Sequence, residues 1–186
     1  MAPRGGTETI KRKELVGKLN PVCLKAFSAA AQTAKARGNP YVELVHFIEA
    51  LSQSARSDFE ILCASAGVDA SKLAADITRA VDALPHGAGS VEEFSDHIFR
   101  AIQEGWTYGS LDFGDDTVRS AYILLGALKV PVLEGLLFKI SLEFDKIDPA
   151  SMSGQLGDLL AESIEGAKPE GEAPKAKQAP GGKSAL

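Results

Sequence analysis

A short, almost wholly apolar helix placed directly after a hard stop is the feature that most constrains this chain. Arg37-Gly38-Asn39-Pro40 ends one helix, because glycine takes the left-handed terminating position and proline forbids continuation. Val42, Leu44, Val45, Phe47, Ile48 and Leu51 then follow with little polar surface between them. A helix apolar nearly all round must be buried, so other helices have to pack about it. A second such stretch, Gly114 to Leu128, follows about 76 residues later. Laid side by side, Leu24–Phe27 falls on Phe99–Ile102 at an offset of 75, and Phe47–Leu51 on Leu124–Leu128 at 77. The chain therefore reads as one unit used twice, repeat one over 20–84 and repeat two over 90–162, with about four helices in each.

Start and stop signals place the remaining helices. Asn20 caps and Pro21 takes the first position of a helix reaching Arg37, with Cys23, Ala26, Phe27, Ala30, Ala31 and Ala34 on one face. Ser57 or Asp58 caps a short helix carrying Phe59, Leu62 and Cys63, which Gly67 closes. Asp69 caps the next, with Leu73, Ile77, Val81 and Leu84 on its inner stripe, and Pro85–Gly89 is the seam between halves. Ser90-Val91-Glu92-Glu93 has the form of a capping box opening a helix through Phe94, Ile98, Ala101 and Ile102 as far as Gly105, Tyr108 and Gly109. Pro131 and Asp148-Pro149 start two more. No stretch alternates with period two, so the expected fold is all-α. Ahead of these lies a basic amphipathic segment, Thr9–Leu19, as an extra N-terminal helix. Residues 1–8 show no apolar period and are expected to be disordered. Residues 164–186 are expected to be a disordered, flexible linker, since Gly166–Gly182 holds no large apolar residue to repay ordering.

Composition narrows the function classes. A net charge of −5 provides no basic excess for releasing counterions from nucleic acid. No apolar run reaches the roughly 20 residues of a bilayer span, so no membrane partner is expected, and the N-terminus lacks the apolar core of a signal peptide. The expected localisation is cytoplasmic. Cys23 and Cys63 sit among apolar residues without a CxxC pair and read as buried thiols rather than a disulfide or metal site. His46, His86 and His97 show no ligand spacing, and His46 reads as a hydrogen-bonded structural imidazole. Asp115-Asp116 reads as a helix-start pair opposing the macrodipole rather than a metal site. Trp106 and Tyr108 read as core closure between repeats rather than a partner contact. Gly182-Lys183-Ser184 offers the last letters of a phosphate loop, but Lys177 stands where the first glycine belongs and no strand precedes it. No catalytic residue is expected, and no cofactor in this fragment.

Lys18-Leu19-Asn20-Pro21-Val22-Cys23, Arg37 to Leu51 and Gly105-Trp106-Thr107-Tyr108-Gly109-Ser110-Leu111 carry a resemblance to a known family. Over about residues 9–162 the chain resembles the N-terminal (Clp N) domain of the Clp ATPases, a pseudo-twofold pair of four-helix repeats. More narrowly, it resembles the N-domain of ClpV (TssH), the AAA+ ATPase of bacterial type VI secretion systems. Other Clp N-domains usually carry Glu-His-Leu-Leu where Glu43-Leu44-Val45-His46 stands. The resemblance implies a non-catalytic recruiting domain ahead of AAA+ modules, which alone would bind ATP and Mg. It also implies a monomeric isolated domain in a homohexameric parent protein, and a partner: an N-terminal helix of the sheath protein VipB/TssC, exposed on contraction.

An amphipathic helix docks through apolar anchors at helical spacing. If the helices starting at Pro21 and Val91 neighbour the N-terminal one, Leu15, Leu19, Val22, Val91 and Phe94 edge one groove, with Lys11, Arg12 and Lys13 facing acidic positions on the visitor. Two other readings stand beside this one. They are a general Clp chaperone or protease N-domain docking unfolded chains or adaptors, and a small stand-alone enzyme.

Overall fold

A computed structural model describes residues 5–166, with side chains from residue 11 onward. The expected disorder of 1–4, the bulk of the linker (167–186) and the Gly182-Lys183-Ser184 tripeptide lie outside the described residues. Among the described residues, ten helices and two very short strands run in the order α1 (Gly5–Lys18), α2 (Pro21–Ala36), β1 (Tyr41–Val42), α3 (Leu44–Ser52), α4 (Asp58–Ser65), α5 (Ala70–Asp82), β2 (Glu93–Phe94), α6 (Asp96–Phe113), α7 (Ser120–Leu128), α8 (Pro131–Ile140), α9 (Pro149–Ser153) and α10 (Leu156–Leu159). Single 3-10 turns, Leu142–Lys146 and Ile164–Gly166, fall before α9 and after α10. The caps act where the sequence puts them. Asn20, Ser57 and Asp69 each accept a backbone N–H three residues on, and Asp148 accepts from Ala150. Gly38 and Gly67 take positive φ after α2 and α4.

The two apolar helices are the centre of the packing. All nine residues of α7 are buried, as are Leu44, Val45, His46, Phe47, Ile48 and Leu51 of α3. Each packs against the long helix before it, α3 on α2 and α7 on α6. In the second pair the backbones nearly touch. A Cβ built on Gly105 would lie 3.0 Å from the Ile123 backbone, and one on Gly126 2.9 Å from the Glu104 carbonyl carbon. Gly105 and Gly109 are therefore contact points inside α6, not its end as expected, and the helix runs on to Gly114.

The repeats are related as a twofold requires. The N-caps of α2 and α6 are Asn20 and Ser95; those of α3 and α7 are Glu43 and Arg119. Leu19, just before Asn20, forms a parallel bridge with Val118, just before Arg119. Val42, just before Glu43, pairs in parallel with Phe94, just before Ser95. Exchanging the repeats converts one pair into the other. The helix starts also set Phe47 opposite Ile123, one residue off the alignment made from sequence.

Several boundaries differ from expectation for physical reasons. Ser90–Glu93 is not a capping box. Glu93 and Phe94 are drawn into the β1 pairing, Glu92 donates its N–H to the Pro40 carbonyl at 2.7 Å, and the helix waits for Ser95. Asp115 does not start a helix; it accepts the Tyr122 hydroxyl, and α7 begins at Ser120. α1 begins at Gly5, so 5–8 are helical rather than disordered.

The expected linker boundary at 164 is wrong for a stronger reason. The Glu165 carboxylate accepts the first N–H of α4 (Asp58, 2.6 Å) and the first N–H of α7 (Ser120, 2.8 Å). It also takes the Ser120 hydroxyl at 2.5 Å and the Asn20 amide at 3.0 Å. Beside it the buried Asp58 carboxylate makes a two-pronged pair with Arg119 at 2.8 Å and accepts the Ser163 hydroxyl. Two helix N-termini thus converge on one anion, the charge their dipoles favour. Glu165→Ala strands those amides. It is expected to cost about 3 kcal/mol, at roughly 1–3 kcal/mol per unsatisfied group, read as a lower urea midpoint with an unchanged slope.

His46 is structural, as read from the sequence. Its Nδ1 accepts the Glu43 N–H at 2.8 Å, which leaves the proton on Nε2 to be donated to the Asn39 amide oxygen at 2.9 Å. Burial, with the Arg37 charge nearby, lowers its pKa from 6.5 to about 4. The neutral ring is the folded form, so this contribution is complete above pH 6.5 and is lost as pH falls towards 4. A pH series of urea unfolding is expected to show that loss, and His46→Gln to remove its upper part.

Candidate functional site

α1 lies along α6 and is pinned by two cations. The Arg12 guanidinium sits 4.5 Å from the Phe99 ring centroid and pairs with Glu93 (3.1 Å) and Asp96. One and a half turns on, the Lys18 ammonium lies 4.6 Å from the Trp106 centroid. Such cation–ring contacts contribute about 0.5–1 kcal/mol at exposed sites. Under Arg12 four phenylalanines from four different elements meet. Phe94 of β2 stacks on Phe27 of α2 at 4.7 Å, Phe99 of α6 lies 6.1 Å from Phe94, and Phe47 of α3 meets Phe27 edge-on at 6.2 Å.

Phe94 is half-buried, so this aromatic nest reaches the surface. It forms part of a cleft of about 400 Å³ with Arg12, Tyr41, Glu43 and Asp96. Tyr41 is 43% exposed, and the neighbouring Glu92 carboxylate raises its pKa. Leu24, one turn before Phe27 on α2, is 44% exposed. Among the described lining residues the rim is acidic, with Glu43, Glu93 and Asp96 against the Arg12 guanidinium. Phe94 and Tyr41 supply the cleft's rings and Glu43, Glu93 and Asp96 its carboxylates, which gives an amphipathic segment both apolar and acidic contacts.

The five groove residues expected from sequence do not all meet here. Leu15 and Leu19 are buried at 9% and 7% exposure, Leu19 within the bridge to Val118, so both belong to the core. Val22 is half-buried in a separate cleft with Ala29, Ala50 and Ile164. Val91 is half-buried in the loop before β2, and Phe94 lines the aromatic cleft. Of the three basic residues assigned to a visitor, Arg12 is committed inside the domain, while Lys11 and Lys13 are exposed. Phe27, Phe99 and Tyr41 went unassigned. The alignment of Leu24–Phe27 with Phe99–Ile102 sets Phe27 opposite Ile102 and Phe99 opposite Leu24, so no local signal brought these rings together.

The remaining candidates are structural. Cys23 and Cys63 are free, buried thiols, and burial pushes Cys63 up to about 12. Cys23 is raised as well, by burial first and then by Glu165. Tyr108 is core and hydrogen-bonds Ser153 at 2.5 Å, and Trp106 packs half-buried against the core while also serving as the platform for Lys18. Among the described residues no three His, Cys, Asp or Glu side chains gather closely enough to hold a metal, and no helix is long and apolar enough to cross a membrane.

Comparison with known proteins bears on this architecture. Residues 18–136 match the model of the Clp repeat (R) N-terminal domain. The chain belongs to that family. It is 39% identical over 172 residues to the AAA+ ATPase ClpV1 of Pseudomonas aeruginosa, covering 92% of this chain and 19% of that protein. To the chaperone protein ClpB of Yersinia enterocolitica it is 35% identical over 156 residues, covering 84% of this chain and 18% of the relative. This Clp N-terminal domain thus spans about a fifth of the relatives it matches. One solved structure comes from work on the coevolution of the ATPase ClpV, the TssB–TssC sheath and the accessory HsiE protein. It superposes with a TM-score of 0.79 at 38% identity, covering 89% of this chain and 98% of that one. A ClpV N-domain in complex with a VipB peptide superposes at 0.71 with 25% identity, covering 82% and 93%.

Arg12→Ala removes the ring contact and both ion pairs of α1. Stability is expected to fall by about 1 kcal/mol. Amide exchange should quicken in α1 while α7 stays protected, which separates loosening of one helix from a global effect.

Proposed function

We propose that this chain is the substrate-recruiting N-domain of a ClpV-type ATPase of a type VI secretion system. In this reading it binds an N-terminal helix of the contracted sheath protein VipB/TssC. It contributes no catalysis itself; AAA+ modules of the parent protein bind ATP and Mg and spend the nucleotide on disassembling the sheath. The observation that carries the reading is the half-open aromatic cleft about Phe94, in a domain whose solved relative holds a VipB peptide. An apolar stripe on the visiting helix would cover Phe94, Phe27 and Leu24, and its basic positions would meet Glu43, Glu92 and Glu93. The parent is read as a cytoplasmic homohexamer whose isolated N-domain is monomeric. Six tethered copies raise the local concentration of sites, so micromolar affinity at each is sufficient.

Similarity to ClpB of Yersinia enterocolitica supports a second reading, a general chaperone N-domain for unfolded chains or adaptors. Titration with a fluorescent VipB N-terminal helix separates the two. Saturable binding is expected, weakened at least about tenfold (1.4 kcal/mol) by Phe94→Asp with an unchanged circular-dichroism melting profile. Binding of the sheath helix no tighter than that of a reduced, unfolded protein would favour the chaperone reading, and indifference to Phe94→Asp would remove the cleft from either.

A further inference from the structure

We infer that a second apolar cleft, between α3, α4 and α5, is a docking site for a basic amphipathic helix of a partner protein. It shares no lining residue with the cleft at Phe94. Phe59, Cys63, Leu73 and Ile77 form its floor, and all four are buried core residues, so the floor is set by the fold. Its mouth is kept open by small residues, with Ala64 on α4 and Ala74 on α5 both exposed. The volume, about 410 Å³, falls in the range of ligand pockets, roughly 300–1,000 Å³.

Charge decides the occupant. Two carboxylates, Glu49 and Glu60, flank the cleft, and among the described residues no Lys, Arg or His lines it. Neither carboxylate meets a cation within 4 Å among the described residues. The nearest cations on α5, Lys72 and Arg79, are both committed to Asp76. An apolar trough with an unneutralised acidic rim takes adjacent aliphatic side chains flanked by lysine or arginine. Residues 167–182 hold no large apolar residue to offer it. The occupant that this charge and shape fit is a basic amphipathic helix of a partner protein.

The test titrates the full chain with a labelled Leu/Lys amphipathic helical peptide and with a scrambled peptide of the same composition. Saturable binding of the amphipathic peptide is expected, with the scrambled one at least about tenfold weaker. Ala74→Trp, which fills the mouth from an exposed position, and the double charge reversal Glu49→Lys/Glu60→Lys are each expected to weaken binding by about tenfold or more. Phe94→Asp is expected to leave it unchanged. Equal binding of the scrambled peptide, indifference to both cleft variants, or loss in Phe94→Asp alone would each overturn the proposal. If Ala74→Trp fails to fold, the surface charge reversal decides the matter alone.

Discussion

The structure depends on one carboxylate. Glu165 comes from the last described turn, yet it satisfies the first amides of α4 and α7 and reaches Asn20, the cap of α2. Those helices belong to different repeats, so the anion sits where the halves meet. The Asp58–Arg119 pair beside it does the same with opposite charges, α4 from one repeat and the cap of α7 from the other. A second polar contact ties α5 to the stretch after α8. Ser141 donates to the buried Asp76, which that hydroxyl, with Lys72 and Arg79, holds down at about 2. Apolar burial gathers the helices; these few polar contacts fix how one half is set against the other.

That arrangement explains why the surface is uneven. α7 is enclosed completely, and α6 approaches it so closely that glycines are required at 105 and 126. α3 is enclosed less fully, since Glu49 and Ala50 are half-exposed. The β1–β2 pair lifts Phe94 out of any helix and sets it against Phe27 and Phe99, with Arg12 of α1 over the Phe99 ring. The cleft at Phe94 thus follows from the strand pairing that relates the repeats.

Much of the fold was legible because the signals were local. Asn20-Pro21, Ser57, Asp69 and Asp148-Pro149 announce their helices, and the apolar content of α3 and α7 announces burial. The errors came from partners distant in sequence. Ser90 resembled a cap until Glu93 paired with Tyr41, and Gly105 resembled a terminator until Ile123 was seen against it. Glu165 stood at the edge of a low-complexity stretch, and nothing nearby revealed that its acceptors' donors lie 45, 107 and 145 residues away. For the site, helical periodicity found Leu15 and Leu19 as an apolar stripe but could not tell a stripe facing α6 from one facing a visitor. Phe94 was singled out in the sequence and its aromatic neighbours Phe27, Phe47 and Phe99 were not, because they come to it from three other elements.

The central claim is that a sheath helix is held over the rings beneath Arg12. It is tested most directly by nitrogen-15 chemical-shift mapping of the chain during titration with the VipB N-terminal helix. The account predicts shifts concentrated at Arg12, Leu24, Phe27, Tyr41, Phe94 and Phe99, with α7 and the Glu165 junction quiet. Shifts confined to α4 and α5, or spread evenly over the domain, would contradict it.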